Sequence, residues 1–179
     1  MKIEGRSGGN ILEIDVEGQA SVEAVIHDEF EHAAERGDAF SWTNVTYDPD
    51  AADTIILIRN DHTTKNLHIL GFSFNGDTAS TIKCHLTDKT NPTPAGTLSI
   101  VGVALNSILG GTPLATAFGD ETANTQGNIV YNFRIEANKH YDIDLHGAVI
   151  LGTNNSFAID YVSAATAAYT TVLGYYKER

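Results

Sequence analysis

Residues 129–176 decide the fold, and they read IVYNFRIEANKHYDIDLHGAVILGTNNSFAIDYVSAATAAYTTVLGYY. In four segments of this stretch, apolar and polar residues alternate with a period of two, which is typical of strands with one face on a core and one in water. Their apolar residues are Ile129, Tyr131, Phe133 and Ile135, then Tyr141, Ile143 and Leu145, then Phe157, Ile159 and Tyr161, and finally Tyr169, Thr171, Leu173 and Tyr175. Polar turn residues separate the segments. The pattern predicts consecutive strands of an antiparallel sandwich or barrel.

Earlier strands are predicted from a continuous apolar run and from a turn. Residues 54–58 read TIILI, which predicts a central strand covered on both faces. Asn75-Gly76-Asp77 is a strong hairpin signal, and it predicts that residues 78–87 pair with residues 66–75. From residue 53 onward we predict eight strands, at 54–59, 66–75, 78–87, 97–105, 128–136, 140–151, 156–163 and 168–176.

Eight antiparallel strands with short and long connections indicate an all-β, jelly-roll-like sandwich, with an immunoglobulin-like sandwich as the alternative. The alternation fades between residues 106 and 126, so we expect a long loop there, with at most one short strand at residues 114–118. We predict that the apolar faces meet in one core that contains Ile55, Leu57, Phe72, Phe133, Ile143, Ile159 and Leu173.

The N-terminal region has a different pattern, and we divide the chain into an arm at residues 1–38 and a sandwich domain at residues 39–179. A glycine-rich lead-in at residues 1–9 is expected to be flexible, and residues 28–36 (DEFEHAAER) predict one short helix. Between them lie two amphipathic strands that form a hairpin or an extended arm. Because a lone hairpin is marginal in water, its apolar face needs a covering partner. We therefore predict an interface formed by Leu12, Ile14, Val16, Val22, Ala24 and Ile26.

Charge limits the partners that the chain can bind. The formal net charge is −12, and residues 1–53 alone carry 13 acidic and three basic residues, a net charge of −10. Nucleic acid and anionic membranes both attract basic surfaces, so neither is an expected partner. We also expect neither secretion nor membrane insertion, because no apolar leader or long apolar run is present. The single cysteine, Cys84, alternates with Ile82 and Leu86, which predicts a buried, inert thiol.

The strongest metal-like pattern follows one predicted strand. His140, Asp142, Asp144 and His146 alternate along it, and successive side chains on one face stand roughly 6.6 Å apart. Two neighbours could share a divalent ion with ligands from an adjacent strand, for which His68 and His85 are candidates. The simpler interpretation is the wet face of a half-buried strand, and we favour it, so no cofactor is expected.

Carboxylates offer two further candidate sites. Asp48, Asp50 and Asp53 cluster at a predicted turn and could attract calcium, although the turn chemistry of Asp-Pro explains them without an ion. Asp142, Asp144 and Asp160 could converge as the paired carboxylates of a glycoside hydrolase. No nucleotide-binding loop or nucleophile motif is present, and we expect the protein not to be an enzyme.

Three stretches resemble small β-rich virion proteins of tailed bacteriophages. They are residues 58–69 (IRNDHTTKNLHI), 147–158 (GAVILGTNNSFA) and 169–176 (YTTVLGYY), within a resemblance that extends over roughly residues 39–176. The resemblance implies a phage virion structural protein, a jelly-roll decoration or cement protein on the outer surface of the head. It also implies a homo-oligomer, dimer or trimer, that is made in the host cytoplasm and binds the major capsid protein or other virion proteins.

Two other functions fit the same fold. A tail-fibre or receptor-binding module would hold a glycan, with Trp42, Tyr47 or the C-terminal tyrosines as stacking platforms. A sugar-acting enzyme would instead use the carboxylates named above. The resemblance to virion proteins implies no catalytic residues for this chain, because that class of protein has none.

Overall fold

A computed structural model describes residues 2–4, 10–14, 20–24, 29–49, 53–87, 98–119, 121–122 and 127–179. The fold is an all-β sandwich of two antiparallel sheets, accompanied by a small third sheet and a short helix. The helix α1 spans Glu29–Glu35. The strands are β1 (Lys2–Glu4), β2 (Asn10–Ile14), β3 (Ala20–Ala24), β4 (Ala39–Tyr47), β5 (Asp53–Asn60), β6 (Lys65–Gly76), β7 (Ser80–Thr87), β8 (Leu98–Ile100), β9 (Gly102–Ala104), β10 (Ala115–Gly119), β11 (Glu121–Thr122), β12 (Asn128–Ile135), β13 (Tyr141–Leu151), β14 (Ser156–Tyr161) and β15 (Ala168–Glu178).

The two main sheets differ in size. The larger sheet has the order β12-β7-β14-β5-β10-β8, and β11 also pairs with β5. The smaller sheet has the order β13-β6-β15-β4-β9, and β1, β2 and β3 form the third sheet. Every pairing is antiparallel, which confirms the predicted all-β antiparallel class.

The predicted hairpin at Asn75-Gly76-Asp77 is wrong. Strand β6 lies in the smaller sheet and β7 in the larger sheet, so the chain crosses from one layer to the other at this turn. Asp77 is fixed by residues before β15: its amide donates to Ala167 O, and its carboxylate accepts hydrogen bonds from Thr166. These long-range contacts replace the ladder that a tight hairpin would need.

Strands pair instead with partners that are distant in the chain, and the pairs are nested. Strand β4 pairs with β15, β5 with β14, β6 with β13, β7 with β12, and β8 with β10. Each pair encloses the next one in sequence. The chain therefore runs as one long, folded hairpin whose two arms are wrapped into two layers.

The main core lies between the layers. It contains Ile55, Phe72 and Ile159 as predicted, and Phe133 and Ile143 pack against it while partly exposed. Its largest fully buried side chains include Trp42, Phe74, Phe157 and Tyr161. Leu57 and Leu173 do not belong to this cluster, so the prediction of a single core was wrong for those two residues.

The predicted face of β15 is reversed. Ala168, Val172 and Tyr176 face the core, whereas Leu173 is only partly buried and Tyr169 is exposed. Tyr175 is buried on the outer side, where it meets Phe30 and Ala33 of α1. The outer face of β15 carries apolar residues such as Tyr175 because α1 covers part of that face. In the sequence these residues therefore resemble a core face.

The strand pairing of the smaller sheet is irregular near Gly71 of β6, where the register with both neighbouring strands shifts. The register shifts between Asp144 and Val149 of β13 and between Leu173 and Gly174 of β15, on either side of β6. A side chain at Gly71 would place its Cβ 2.4 Å from Ile143 O, so the strands approach closely here. The shift places Leu70 on the outer face, although a period of two predicts that Leu70 shares a face with Phe72 and Phe74.

The prediction that residues 54–58 are covered on both faces is confirmed, because all five are fully buried. Leu57 belongs to a row on the outer face that runs across five strands. The register that defines this row is Phe118, Leu57, Ala158, His85 and Ile129. Leu57 and Ala158 have no exposed surface, so this outer face is closed at its centre.

The predicted strand at residues 97–105 is divided in two. β8 pairs with β10 in the larger sheet, and β9 pairs with β4 in the smaller sheet, with Val101 between them. This segment therefore joins the two layers at one side of the sandwich. The short strand predicted at residues 114–118 is confirmed as β10.

The two amphipathic strands of the arm pair as a hairpin, with Leu12 opposite Val22 and Ile14 opposite Ala20. Lys2–Glu4 adds a third strand, so the expectation of a flexible lead-in was wrong for those residues. Val16 and Ile26 lie outside the described residues. The helix is confirmed, and the division at residue 38 stays a prediction. Within the described part of the chain, no helix is both long and apolar enough to cross a membrane.

Candidate functional site

The four metal candidates lie on or beside β13, and the structure groups them in pairs. His140 Nε2 lies 3.0 Å from Asp142 Oδ1, and His146 Nδ1 lies 3.1 Å from Asp144 Oδ2. All four side chains are largely exposed, so water screens both pairs. Among the described residues, no three His, Cys, Asp or Glu side chains are placed to hold a metal ion.

The two additional histidines do not join this row. His68 stacks on Tyr175 with ring centroids 5.1 Å apart, and its Nδ1 lies 3.3 Å from Gly147 O. Partial burial lowers the pKa of His68, because desolvation disfavours the charged ring. His85 lies in the larger sheet. The two histidines therefore belong to separate sites.

His85 is part of a buried polar trio on the outer face of the larger sheet. Its Nε2 lies 2.9 Å from Asp160 Oδ2, close enough for an ion pair, although the N–H direction is poor for a hydrogen bond. Thr54 Oγ1 donates to Asp160 Oδ1 at 2.6 Å. Alternation predicted that Asp160 faces water, because the sequence of β14 by itself does not indicate that this face is covered.

The trio does not form a nucleophilic site. Ser156 lies on the same strand face as Asp160, but its buried hydroxyl has no hydrogen-bond partner, and the same is true of His85 Nδ1. A general base must lie within hydrogen-bonding reach of the hydroxyl that it activates. The trio therefore acts as a structural polar network, and Thr54 and Asp160 tie β5 to β14.

The other carboxylate candidates are also separated. Asp142 and Asp144 are on β13 of the smaller sheet, whereas Asp160 is on β14 of the larger one, so the three do not converge. Of the three aspartates at the predicted calcium turn, Asp48 and Asp53 are described and Asp50 is not.

Trp42 cannot stack on a glycan, because it is fully buried in the core. Tyr175 and Tyr176 are also buried, and the side chain of Tyr47 lies outside the described part. Tyr169 is 44% exposed and lines a hollow of about 190 Å³ together with His140 and Thr171. A neighbouring groove of about 430 Å³ is lined by Asp142, Asp144, Leu70 and Leu173.

A third groove, of about 760 Å³, lies between α1 and the end of β15 and is lined mostly by charged residues. These charges are already paired across it. Lys177 Nζ contacts Glu29 Oε1, and Lys65 Nζ lies 3.0 Å from Asp38 Oδ1. The hydrogen bonds from Lys177 and Tyr175 lower the pKa of Glu29. The groove thus fastens the helix to the sheet.

A different kind of surface lies where the chain crosses between the layers. It consists of β8, β9 and residues 105–114, and we refer to it as the apolar edge. Its exposed side chains are Val101 (71%), Val103 (60%), Leu105 (43%), Ile108 (88%), Leu109 (62%) and Leu114 (55%). No Asp, Glu, Lys or Arg occurs between residues 90 and 119. The sequence predicted a strand at residues 97–105 and a loop after residue 105, but not the surface that they form, although the absence of charge was the available signal.

The apolar edge is held in place by hydrogen bonds between the Asn106 side chain and the backbone. Asn106 Nδ2 donates to Ala34 O and Glu35 O at the end of α1, and Asn106 Oδ1 accepts from the amides of Ile108 and Leu109. A Cβ on Gly110 would lie 2.3 Å from Ala104 Cβ, so the loop returns against β9. The side chains of Ile108 and Leu109 are exposed while their backbone is fixed.

Comparison with known proteins gives no relative for this chain: no protein-family model, curated protein or solved structure matches it.

Proposed function

We propose that this chain is a structural protein of a tailed-phage particle, a decoration or cement protein that binds and stabilises the outer surface of the head. The observation that carries the proposal is the apolar edge, a rigid exposed surface without charge on a chain whose net charge is −12. Exposed apolar surfaces of this extent mark places where proteins associate. The resemblance of residues 58–69, 147–158 and 169–176 to small virion proteins supplies the biological setting.

The proposal includes a jelly-roll topology for the sandwich. A jelly roll forms when a long hairpin of paired strands is wrapped into two sheets. Nested pairs of this kind connect β5 with β14, β6 with β13, and β7 with β12. The order β5-β14-β7-β12 within the larger sheet is consistent with such wrapping.

The proposed partners are the major capsid protein, or other virion proteins, and further copies of the chain. The arm contacts the shell through the apolar strands that contain Leu12, Ile14, Val22 and Ala24, together with Val16 and Ile26. The acidic first third would steer the chain toward a basic shell surface. The protein would be made in the host cytoplasm and end on the virion surface.

The test uses heads of the encoding phage that have been prepared without this protein. We expect the purified chain to bind these heads and to raise the temperature at which they lose their contents. A chain that lacks residues 1–27 should remain folded but lose head binding. Heads that neither bind the chain nor gain heat resistance from it would refute the proposal.

Salt dependence tests the steering step separately. Association with undecorated heads should slow as salt rises past roughly 0.15 M, where the screening length falls to about 8 Å. Neutralising Glu13, Asp15, Glu17 and Glu23 should slow association in the same way, whereas dissociation should change much less. Association rates that change neither with salt nor with these substitutions would show that the acidic residues serve solubility alone.

A glycan-binding module of a tail fibre is the second candidate, and Tyr169 favours it. This exposed ring lies on the outer face of the smaller sheet beside the two hollows that Asp142 and Thr171 help to line. Aromatic rings and carboxylates are the groups that hold sugars. Binding to a glycan array that Tyr169→Ala abolishes would support this candidate over the decoration role.

A further inference from the structure

We infer that the apolar edge is a contact between copies of this chain, in which each copy covers the apolar edge of another. The inference deepens the proposed function, on which it rests for the role of the assembly in the particle. It assigns the partner of this surface, whereas the arm remains free for the shell.

The first argument is the size of the surface. Complete burial of a Val, Leu or Ile side chain removes roughly 60–120 Å² of apolar surface from water, so the six side chains at their observed exposures offer on the order of 230–450 Å². A standard interface buries about 800 Å² per partner, of which about 60% is apolar. The apolar edge therefore supplies about half or more of the apolar area that one side of a stable interface requires.

The second argument is charge. Two copies with a net charge of −12 each repel one another, and they can approach most easily where neither surface carries a carboxylate. Residues 98–119 provide such a surface. A basic protein would find no acidic group on residues 98–114 themselves. A second copy brings the same neutral, apolar side chains, so an isologous contact is self-complementary.

The third argument is the position of the surface in the sheets. Among the described strands, β8 ends the larger sheet and β9 ends the smaller one, and Val101 lies between them. Edge strands of this kind expose backbone groups that favour pairing with another chain. Proteins usually protect edge strands with charged residues or proline, and neither occurs between Leu98 and Leu105.

The fourth argument is that the surface is preorganised. Leu105 N donates to Ala39 O, Asn106 fixes the following turn to α1, and Pro113 packs over Gly102. Because the backbone is already ordered, association loses little conformational entropy. Exposed apolar side chains on a fixed backbone are the arrangement that a contact between copies needs.

The experiment measures the mass of the full-length chain in solution by sedimentation velocity and light scattering over a wide range of concentrations. The parent chain should be a dimer, the closed assembly that an isologous contact forms. Val103→Glu and Ile108→Glu each place a carboxylate in the contact, so each should raise the dissociation constant at least about 30-fold. Matched controls are Ile129→Glu and Ile150→Glu, which alter residues that are 50% and 46% exposed on other strands. These controls should leave the dissociation constant within about threefold of the parent value.

Two further measurements separate folding and the arm from the contact. Thermal unfolding followed by circular dichroism should show that all four variants are folded, and hydrogen exchange in residues 98–114 should slow as the parent concentration rises. A chain that lacks residues 1–27 should keep the parent's oligomeric state. A monomeric parent, or an oligomer that Val103→Glu and Ile108→Glu leave intact, would overturn the inference.

Head binding distinguishes this inference from the proposed function. A monomeric parent that still binds and stabilises heads would overturn the inference and leave the function standing. An oligomer that Ile108→Glu dissociates, but that does not bind heads, would support the inference and refute the decoration role.

Discussion

The outer faces of the two main sheets differ in their exposure to water. At the centre of the larger sheet the outer face is closed: Leu57 and Ala158 have no exposed surface, and Asp160 is 3% exposed. On the smaller sheet, Leu173 is only partly buried and Asp142 is exposed. Both faces obey the same period-two geometry. Alternation therefore shows which residues share a face, but not whether that face meets water.

The largest expected effect comes from one pair of substitutions on these opposite faces. Leu57→Ala should lower the free energy of unfolding by about 2–5 kcal/mol, because it leaves a cavity in a closed site. Leu173→Ala should cost less than about 1 kcal/mol, because its side chain is partly exposed in a surface groove. Urea unfolding followed by the fluorescence of Trp42, the only tryptophan, measures both. Equal losses would remove the distinction between the two faces.

Two aspartates extend the comparison to polar groups. Asp160→Ala should destabilise the fold by about 2–4 kcal/mol, because it removes the buried carboxylate that His85 and Thr54 contact. Asp142→Ala should change stability by less than about 0.5 kcal/mol, since its pair with His140 is exposed. Asp160→Asn serves as the control for shape and should cost less than Asp160→Ala. A harmless Asp160→Ala would show that water reaches the trio.

A smaller effect is expected at Cys84, which faces the core while the next residue, His85, faces outward. Burial raises the pKa of Cys84 from 9.0 to about 12, so the folded thiol stays protonated while the unfolded thiol ionises. Unfolding then releases a proton above about pH 9, and stability should fall by about 1 kcal/mol between roughly pH 8 and 10. Cys84→Ala should show a shallower decline over the same range. An unchanged slope would assign the alkaline loss to other groups.

The sequence predicted local structure better than pairing. The strand positions, apart from the divided strand at residues 97–105, and the covered run at residues 54–58 were confirmed because they depend on local periodicity. The hairpin at Asn75-Gly76-Asp77 failed because Asp77 bonds to residues before β15, about 90 positions away. The prediction of which face of β15 meets the core was wrong because α1 covers Tyr175 and the register shifts at Gly174. Local patterns contain no information about either contact.

The candidate sites also differ in whether local sequence patterns could predict them. The exposed row from His140 to His146 was predicted from alternation, and the structure places all four side chains in water. The trio of Thr54, His85 and Asp160 could not be predicted, because its members come from three strands that only the nested pairing brings together. The apolar edge was overlooked because residues 106–114 lack any period, although the absence of charge was visible.

The nested pairing also constrains how the chain can fold while it is being made. Strand β15 is synthesised after the other described strands, yet it lies between β6 and β4 in the middle of the smaller sheet. Until residues 168–178 have been synthesised, β4 and β6 cannot complete their ladders, and the apolar faces of both strands remain uncovered. Pairing across such long separations is slow and leaves chains prone to aggregation. The nascent chain therefore depends on its last strand, and we expect ribosome-bound chains that lack β15 to recruit chaperones.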